Sequence, residues 1–80
     1  MGRITLTVHH NDNVATLLDS RSDLTETQTG LTIASDIAFG HKVAIQHIRK
    51  GDAIIKYGVA IGTATADIEC GTHVHVHNCQ

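Results

Sequence analysis

The alternation of apolar and polar residues predicts a chain built from short β-strands. In residues 3–8, Ile4, Leu6 and Val8 alternate with arginine and threonine, which is typical of a strand with its apolar face buried. Further β-prone runs, separated by glycines, lie at 42–48, 53–57, 59–61 and 72–77. Short strands with glycine at the bends, in a sequence without proline, indicate an all-β fold with at most one or two helical turns.

The last of these runs carries histidine at every second position. His73, His75 and His77 alternate with Val74 and Val76. In a strand the three imidazoles share one face, while the two valines point into the core. Imidazole is the commonest metal-ligating side chain. Because residues i and i+2 lie ~6.6 Å apart, two of these histidines can share one ion, but a third on a straight strand would reach it poorly.

Length and composition predict one small domain with a thin core. Eighty residues are near the size at which a single hydrophobic core becomes marginal. Phe39 and Tyr57 are the only aromatic residues, so Val, Ile, Leu and Ala must build the core. We therefore expect the chain to pack against a partner surface or to be one part of a larger protein.

The charge and the cysteines restrict the class of protein further. A net charge of −2, with only six lysines and arginines, argues against nucleic acid as a partner. No apolar run approaches the ~20 residues of a membrane span, and no signal-peptide segment is evident, so we expect a cytoplasmic protein without a membrane partner. Cys70 and Cys79 do not make a disulfide framework, and their spacing differs from common zinc sites.

Two polar clusters lie near predicted turns. His9 is followed by Asp12 and Asn13, which can either join it in a site or cap the turn through hydrogen bonds to the backbone. Gly40 precedes His41 and Lys42, two potentially cationic side chains that could equally be a solvated strand start.

A third cluster follows an apolar run. Lys56 and Tyr57 precede Gly58. Lysine can recognise a carboxylate as a point charge, with the tyrosine hydroxyl as a second donor. The alternative is a lysine whose aliphatic stem follows apolar surface with its charge in water, next to a packed tyrosine.

In their order and spacing these clusters resemble the N-terminal SAF-type domain of the altronate dehydratase (altronate hydrolase) and galactarate dehydratase family, a compact β-clip fold. The segments that carry the resemblance are His9-x-x-Asp12-Asn13-Val14, Gly40-His41-Lys42-Val43-Ala44, Ile55-Lys56-Tyr57-Gly58-x-x-Ile61-Gly62 and His75-x-His77-Asn78. The resemblance implies that residues 1–80 form one SAF-like domain, the N-terminal domain or small subunit of a larger dehydratase. His73 falls at a position that varies in the family.

The resemblance also implies a hydro-lyase of sugar-acid and hexuronate catabolism, which converts an aldonate such as D-altronate to a 2-keto-3-deoxy acid. This dehydration requires a base that takes the proton alpha to the carboxylate, an acid that protonates the departing hydroxyl, and cations that stabilise the developing enediolate. The cofactor implied is a divalent metal, iron(II), held mostly by a large catalytic domain or subunit, so the 80-residue chain alone should be inactive. The implied residues are His9, His41, His75 and His77 for catalysis, Asp12, Asn13, Lys42, Lys56, Tyr57 and Asn78 for substrate binding, and His75 and His77 for metal.

Two other functions stay open at this point. One is the small subunit of a two-chain lyase such as sulfolactate sulfo-lyase, and the other is a non-catalytic module that binds a small acid or a metal. A homo-oligomer is also compatible with the thin core. If a single site exists, we expect His9, His41, His75 and His77 to converge at one end of the fold, near Lys42 and Lys56.

Overall fold

The structure, a computed structural model, describes residues 2–80; Met1, the first residue of the predicted domain, lies outside them. It contains six short strands and no helix in residues 2–80, which confirms the all-β prediction. None of these residues therefore forms a helix that could span a membrane. The strands are β1 (Thr5–Leu6), β2 (Val14–Leu17), β3 (Lys42–Ala44), β4 (Ala53–Lys56), β5 (Val59–Thr63) and β6 (His73–Val74).

The strands form an antiparallel sheet in the order β1-β2-β3-β6 and a separate β4-β5 hairpin. All four residues of β2 are buried, because both faces of the sheet are covered at this strand. Val14 pairs with Ala44 and packs in a cluster with Ile54 of the hairpin. Ala15 pairs with Val43 and packs in a second cluster on the other face of the sheet.

The core is as thin as the composition predicts. Both aromatic residues, Phe39 and Tyr57, are exposed. The buried apolar residues of the described chain are only Val, Ile, Leu and Ala: Val14, Ala15, Leu17, Ile33, Ile37, Val43, Ala44, Ile48, Ile54, Ala64, Ile68 and Val74.

The first strand exposes the apolar side chains that the sequence predicts to be buried. Ile4, Leu6 and Val8 are 47%, 38% and 65% exposed, whereas the side chain of Arg3 is fully buried. The Arg3 guanidinium is satisfied where it lies, because Nε and Nη2 donate to the side chain and the carbonyl of Asp19, each at 2.8 Å. Nη1 also donates to the carbonyl of Ile37. A buried charge with a complete set of partners is tolerated, so arginine takes the inward position.

A polar segment covers the free edge of β1. The side-chain amide of Gln28 accepts from the Thr5 amide at 3.0 Å and donates to the Thr5 carbonyl at 2.9 Å, as a neighbouring strand would. Backbone hydrogen bonds join Arg3 to Glu26 and Gln28 on the same edge. An edge strand with free backbone groups invites pairing with another chain, and Gln28 closes this edge at Thr5.

We expect Arg3→Ala to lower the free energy of unfolding by about 3 kcal/mol, because it leaves Asp19 and two carbonyls without their donor. Denaturant titration monitored by circular dichroism measures this. The matched control is Arg21→Ala, which removes the exposed ion pair between Arg21 and Asp23 (3.0 Å) and should leave the denaturation midpoint unchanged, since exposed pairs contribute little. Equal effects of the two substitutions would show that burial of Arg3 does not matter.

Candidate functional site

The register between β3 and β6 brings two histidines face to face. Lys42 pairs with Val74 and Val43 with His73, so the next position along the ladder sets His41 opposite His75. Their rings stack, with 4.4 Å between the ring centroids and 12° between the ring planes. Histidines from two distant parts of the chain thus meet at one end of the sheet.

His73 also belongs to this group, which we call the histidine cluster (His41, His73, His75 and His77). Its Nε2 lies 2.9 Å from Nδ1 of His41, a hydrogen-bonding distance, and its ring centroid is 5.4 Å from that of His75. One ring nitrogen each from His41, His73 and His75 lies within 4.8 Å of the other two. His77, the fourth member of the cluster, contacts His73 at 5.6 Å between ring centroids, but it does not belong to this set of three. The resemblance implies His75 and His77 as metal ligands, and of these two only His75 belongs to the set of three.

The tail ends its strand sooner than the alternation predicts. β6 stops at Val74, which is buried, and a turn follows in which Val76 is 82% exposed. The prediction that Val76 points into the core is therefore wrong. The side chain of Asn78 fixes the turn, since Oδ1 accepts from the His75 amide at 3.0 Å and Nδ2 donates to the His73 carbonyl at 2.9 Å. Asn78 thereby orients the two histidines whose backbone it holds.

Burial and mutual repulsion lower the pKa of two members of the histidine cluster, His73 and His75. The pKa of His73 is lowered by burial of its ring and then by the charges of His41, His75, His77 and Lys42. The pKa of His75 is lowered by desolvation and then by three of the same neighbours. Both shifts favour neutral imidazoles, whose nitrogen lone pairs can accept a proton or bind a cation.

His9 lies outside the histidine cluster. It precedes the Val14 end of β2, whereas His41 lies beyond the other end, next to Leu17, whose amide donates to the His41 carbonyl. His9 packs instead against Gly58, where an added Cβ would come within 3.0 Å of the imidazole carbons. The expected convergence of four histidines thus holds for His41, His75 and His77, and the structure does not bring His9 to them.

Asp12 holds the turn that carries His9 against the β4-β5 hairpin. Its carboxylate accepts from the amides of Val8 (3.0 Å) and His9 (3.1 Å), and from the amide of Gly58 at 2.7 Å. Burial by itself raises the pKa of this carboxyl, but hydrogen bonds from the amides of Val8, Gly58, His9 and Tyr57 outweigh it and lower the pKa to about 2. The carboxylate is a structural clamp with its oxygens occupied.

The turn between β4 and β5, which Asp12 contacts at Gly58, has a strained backbone. Tyr57 and Gly58 join β4 to β5 with φ of 56° and 78°, the left-handed pair of a tight two-residue hairpin turn. A tyrosine is rare in that conformation, and such strain is found where the surrounding structure imposes it. The ring lies 4.9 Å below Nζ of Lys56, and its hydroxyl donates to Oγ1 of Thr16 at 3.3 Å. The turn thus presents a cation and an aromatic ring together.

Asn13 is also a structural residue. Its side-chain oxygen accepts from the Ile55 amide at 2.7 Å and its nitrogen donates to the Ala53 carbonyl at 2.8 Å, so it ties β2 to β4. Of the six residues predicted to bind substrate, Asp12, Asn13 and Asn78 thus hold backbone segments. Lys42, Lys56 and Tyr57 are the ones with accessible polar groups.

Lys42 lies between the histidine cluster and the hairpin turn. It lines a shallow pocket with His75, Ile61, Val76 and Cys79. On the sheet it pairs with Thr16, the residue that Tyr57 contacts. The sequence did not indicate Thr16, because a threonine in a buried strand has no pattern that distinguishes it from an ordinary core residue.

The fold and this arrangement define a small all-β domain with a histidine-rich candidate site. The family model described as the altronate/galactarate dehydratase SAF domain matches residues 3–80. The chain therefore belongs to the altronate/galactarate dehydratase SAF domain family, as its motifs indicated.

Similar proteins include both types of lyase considered in the sequence analysis, the altronate dehydratases and a sulfolactate sulfo-lyase subunit. Altronate dehydratase of Escherichia coli (strain K12) is 46% identical over 74 residues, which cover 89% of this chain and 15% of that protein. Altronate dehydratase of Bacillus subtilis (strain 168) is 40% identical with the same coverage. The (2R)-sulfolactate sulfo-lyase subunit alpha of Paracoccus pantotrophus is 50% identical over 50 residues, 62% of this chain and 75% of that subunit. The chain thus spans only a small part of the altronate dehydratases.

We expect Asp12→Asn to destabilise the fold, because an amide carries one acceptor oxygen and cannot satisfy all the backbone amides that the carboxylate serves. The pKa of Asp12 lies below its ordinary value of 3.8 when folded, so its contribution is complete above pH ~4 and is lost as the pH falls toward ~2. Thermal melts between pH 2 and 7 should show this acid-side loss of stability reduced in the variant. Asp52→Asn, at an exposed aspartate, is the control and should keep the wild-type profile. If Asp12→Asn lost as much stability at acid pH as the wild type does, the role of Asp12 as a clamp would be contradicted.

Proposed function

We propose that this chain is the SAF-type domain of a metal-dependent sugar-acid dehydratase, a hydro-lyase that converts an aldonate such as D-altronate to a 2-keto-3-deoxy acid. The observation that supports this best is the position of Lys42. It lines one pocket with His75, and on the sheet it pairs with Thr16, the residue that Tyr57 of the strained turn contacts. Cations beside neutral imidazoles are what removal of a proton alpha to a carboxylate requires. The relatives named altronate dehydratase support the same class of reaction.

The accessible groups suggest a division of roles. Lys42, Lys56 and the hydroxyl of Tyr57 bind the substrate carboxylate and offset the charge that develops on the enediolate. His77, the histidine of the cluster outside the set of three close ring nitrogens, takes the proton from the carbon alpha to the carboxylate. The same imidazole, protonated by that step, gives the proton to the hydroxyl on the neighbouring carbon, which leaves as water. The product enol then becomes the 2-keto-3-deoxy acid.

The proposed cofactor is a divalent metal, iron(II), which would act as a Lewis acid toward the carboxylate or hydroxyl oxygen of the substrate. Imidazole is a suitable ligand for iron and the neighbouring first-row metals. The clustered ring nitrogens of His41, His73 and His75 and the lowered pKa of His73 and His75 fit such an ion. His75 is the ligand on which the sequence and this geometry agree.

The proposed partner is the larger part of the dehydratase, because this chain matches only 15% of the length of the altronate dehydratases. An exposed apolar strip (Ile4, Leu6, Leu18 and Tyr57) offers a surface for it. Leu6 pairs with Thr16, the contact of Tyr57, and the Leu18 amide donates to the Ile4 carbonyl, so the strip lies on one face of the sheet. The same face carries Lys42, so a partner docked there would border the substrate site.

A specific observation favours a second candidate, the small subunit of a two-chain lyase. The matched region covers 75% of the length of the sulfolactate sulfo-lyase subunit from Paracoccus pantotrophus, at 50% identity. The lysines and histidines would then act on a sulfonated hydroxy acid. Assays of the assembled enzyme with an aldonate and with sulfolactate, following dehydration and release of sulfite respectively, distinguish the two candidates.

In the assembled enzyme, Lys56→Ala should chiefly raise KM, since the lysine binds the carboxylate in both the ground state and the transition state. His75→Ala should chiefly lower kcat, by a factor of about 100 or more, because it removes a ligand of the proposed metal. Steady-state kinetics with the aldonate measure both. Lys50→Ala, at an exposed lysine away from the pocket, is the control and should change neither constant. Unchanged kinetics of His75→Ala would place the reaction outside this domain.

The apolar strip predicts self-association of the 80-residue chain in the absence of a partner. Sedimentation at high protein concentration should show reversible association, and an apolar dye should bind. Leu6→Ser combined with Leu18→Ser should reduce both signals, because it removes the centre of the strip. Val76→Ser is the control, since Val76 is highly exposed but lies in the tail turn. A monomer without dye binding would remove the evidence for docking on this face.

A further inference from the structure

We propose that His41, His73 and His75 form a site for a divalent transition metal within this chain alone, with three imidazole ligands and further coordination positions open. This assignment adds His41 and His73 to His75 and leaves His77 outside. It rests on the proposed function only for the use made of the ion in catalysis. Binding itself follows from the geometry of the three side chains.

The nitrogen positions are close to those of a coordination shell. Metal–imidazole bonds of about 2.0–2.1 Å place two nitrogens on one ion about 2.9 Å apart at an octahedral edge and about 3.4 Å apart at a tetrahedral edge. Nδ1 of His41 and Nε2 of His73 already lie 2.9 Å apart. The nitrogens of all three residues lie within 4.8 Å of one another, so the widest pair needs to close by at most about 1.5 Å to reach a tetrahedral edge. Small side-chain rotations of these partly exposed rings supply that movement.

Three separate backbone contacts hold the ligands. His73 lies in β6, paired with Val43 of β3. The carbonyl of His41 accepts from the Leu17 amide at 2.9 Å, which joins it to β2. His75 is oriented by the side chain of Asn78. A straight strand reaches one ion poorly with three histidines at alternate positions, and this fold solves that problem by taking the third ligand from the neighbouring strand.

The ligand set determines what the bound ion can do. The set consists of three imidazoles and no carboxylate, so no negatively charged side chain in it would offset the charge of the ion. Three imidazoles with an open position are typical of metal sites that activate water or bind a substrate oxygen. Lys42 lines the pocket beside His75, so an anion bound at the open position would also meet a lysine. The ligand class that fits is a carboxylate with an adjacent hydroxyl.

Cobalt(II) is a suitable probe, because its visible absorption bands report imidazole ligation and geometry without any enzymatic assay. The 80-residue chain should bind one cobalt(II) with visible bands, and zinc(II) should displace it in a calorimetric titration. His73→Ala and His41→Gln should each weaken binding by about 100-fold or more, since even groups that only orient a ligand are worth about 10- to 100-fold. Glutamine keeps the size and a hydrogen-bonding group at position 41, so loss of packing is not the cause there.

The controls are His47→Ala, at an exposed histidine outside the cluster, and His77→Ala, which removes the neighbour of His73. Both should bind within about threefold of wild type, well below the effect expected for a ligand. Circular dichroism of each variant confirms that it is folded. Wild-type affinity in His73→Ala, or a loss in His77→Ala equal to that in His73→Ala, would overturn the assignment. These outcomes are independent of Lys56 kinetics, so metal binding and the dehydratase proposal can fail separately.

Discussion

The Asp12 carboxylate holds together two parts of a fold whose strands are too short to do so. With strands of two to five residues, backbone ladders supply few hydrogen bonds between segments. One oxygen of Asp12 accepts from the Gly58 amide of the hairpin, and the other accepts from the Val8 and His9 amides. The neighbouring Asn13 adds two further bonds to β4. Buried polar side chains bonded to backbone therefore replace much of what longer strands or a larger core would provide.

This constraint explains why part of the fold was predictable from the sequence and part was not. Glycine spacing and β-prone runs predicted the all-β class and located strands near 42–48, 53–57 and 59–61. Alternation grouped Ile4, Leu6 and Val8, and all three are exposed, because the pattern does not say which face is buried. The choice depends on the ion pair of Arg3 with Asp19, sixteen residues away. No local pattern in the sequence records a partner at that distance.

The candidate site shows the same limit. The sequence predicts functional residues in both the alternating tail and the Gly40-His41-Lys42 segment, but their meeting depends on the β3-β6 register, in which Val43 pairs with His73. The alternation predicts a strand through His77, whereas the strand ends at Val74 and the hydrogen bonds of Asn78 to the His73 carbonyl and the His75 amide hold a turn. A side chain that caps a turn and one that binds a ligand look alike in a sequence. Only the hydrogen bonds that each side chain makes in the structure distinguish the two roles.

The histidine cluster is an arrangement that stability alone does not favour. Four imidazoles and a lysine are gathered where burial and mutual repulsion lower the pKa of His73 and His75, and the three central histidines have no carboxylate in their set to offset a proton. A protein that needed only packing here would place apolar residues at the end of the sheet. Local features that conflict with stability concentrate at functional sites, and the strained Tyr57 turn is a second such feature joined to the cluster through Thr16 and Lys42. Two unfavourable features connected through Thr16 and Lys42 support the proposal that they belong to one site.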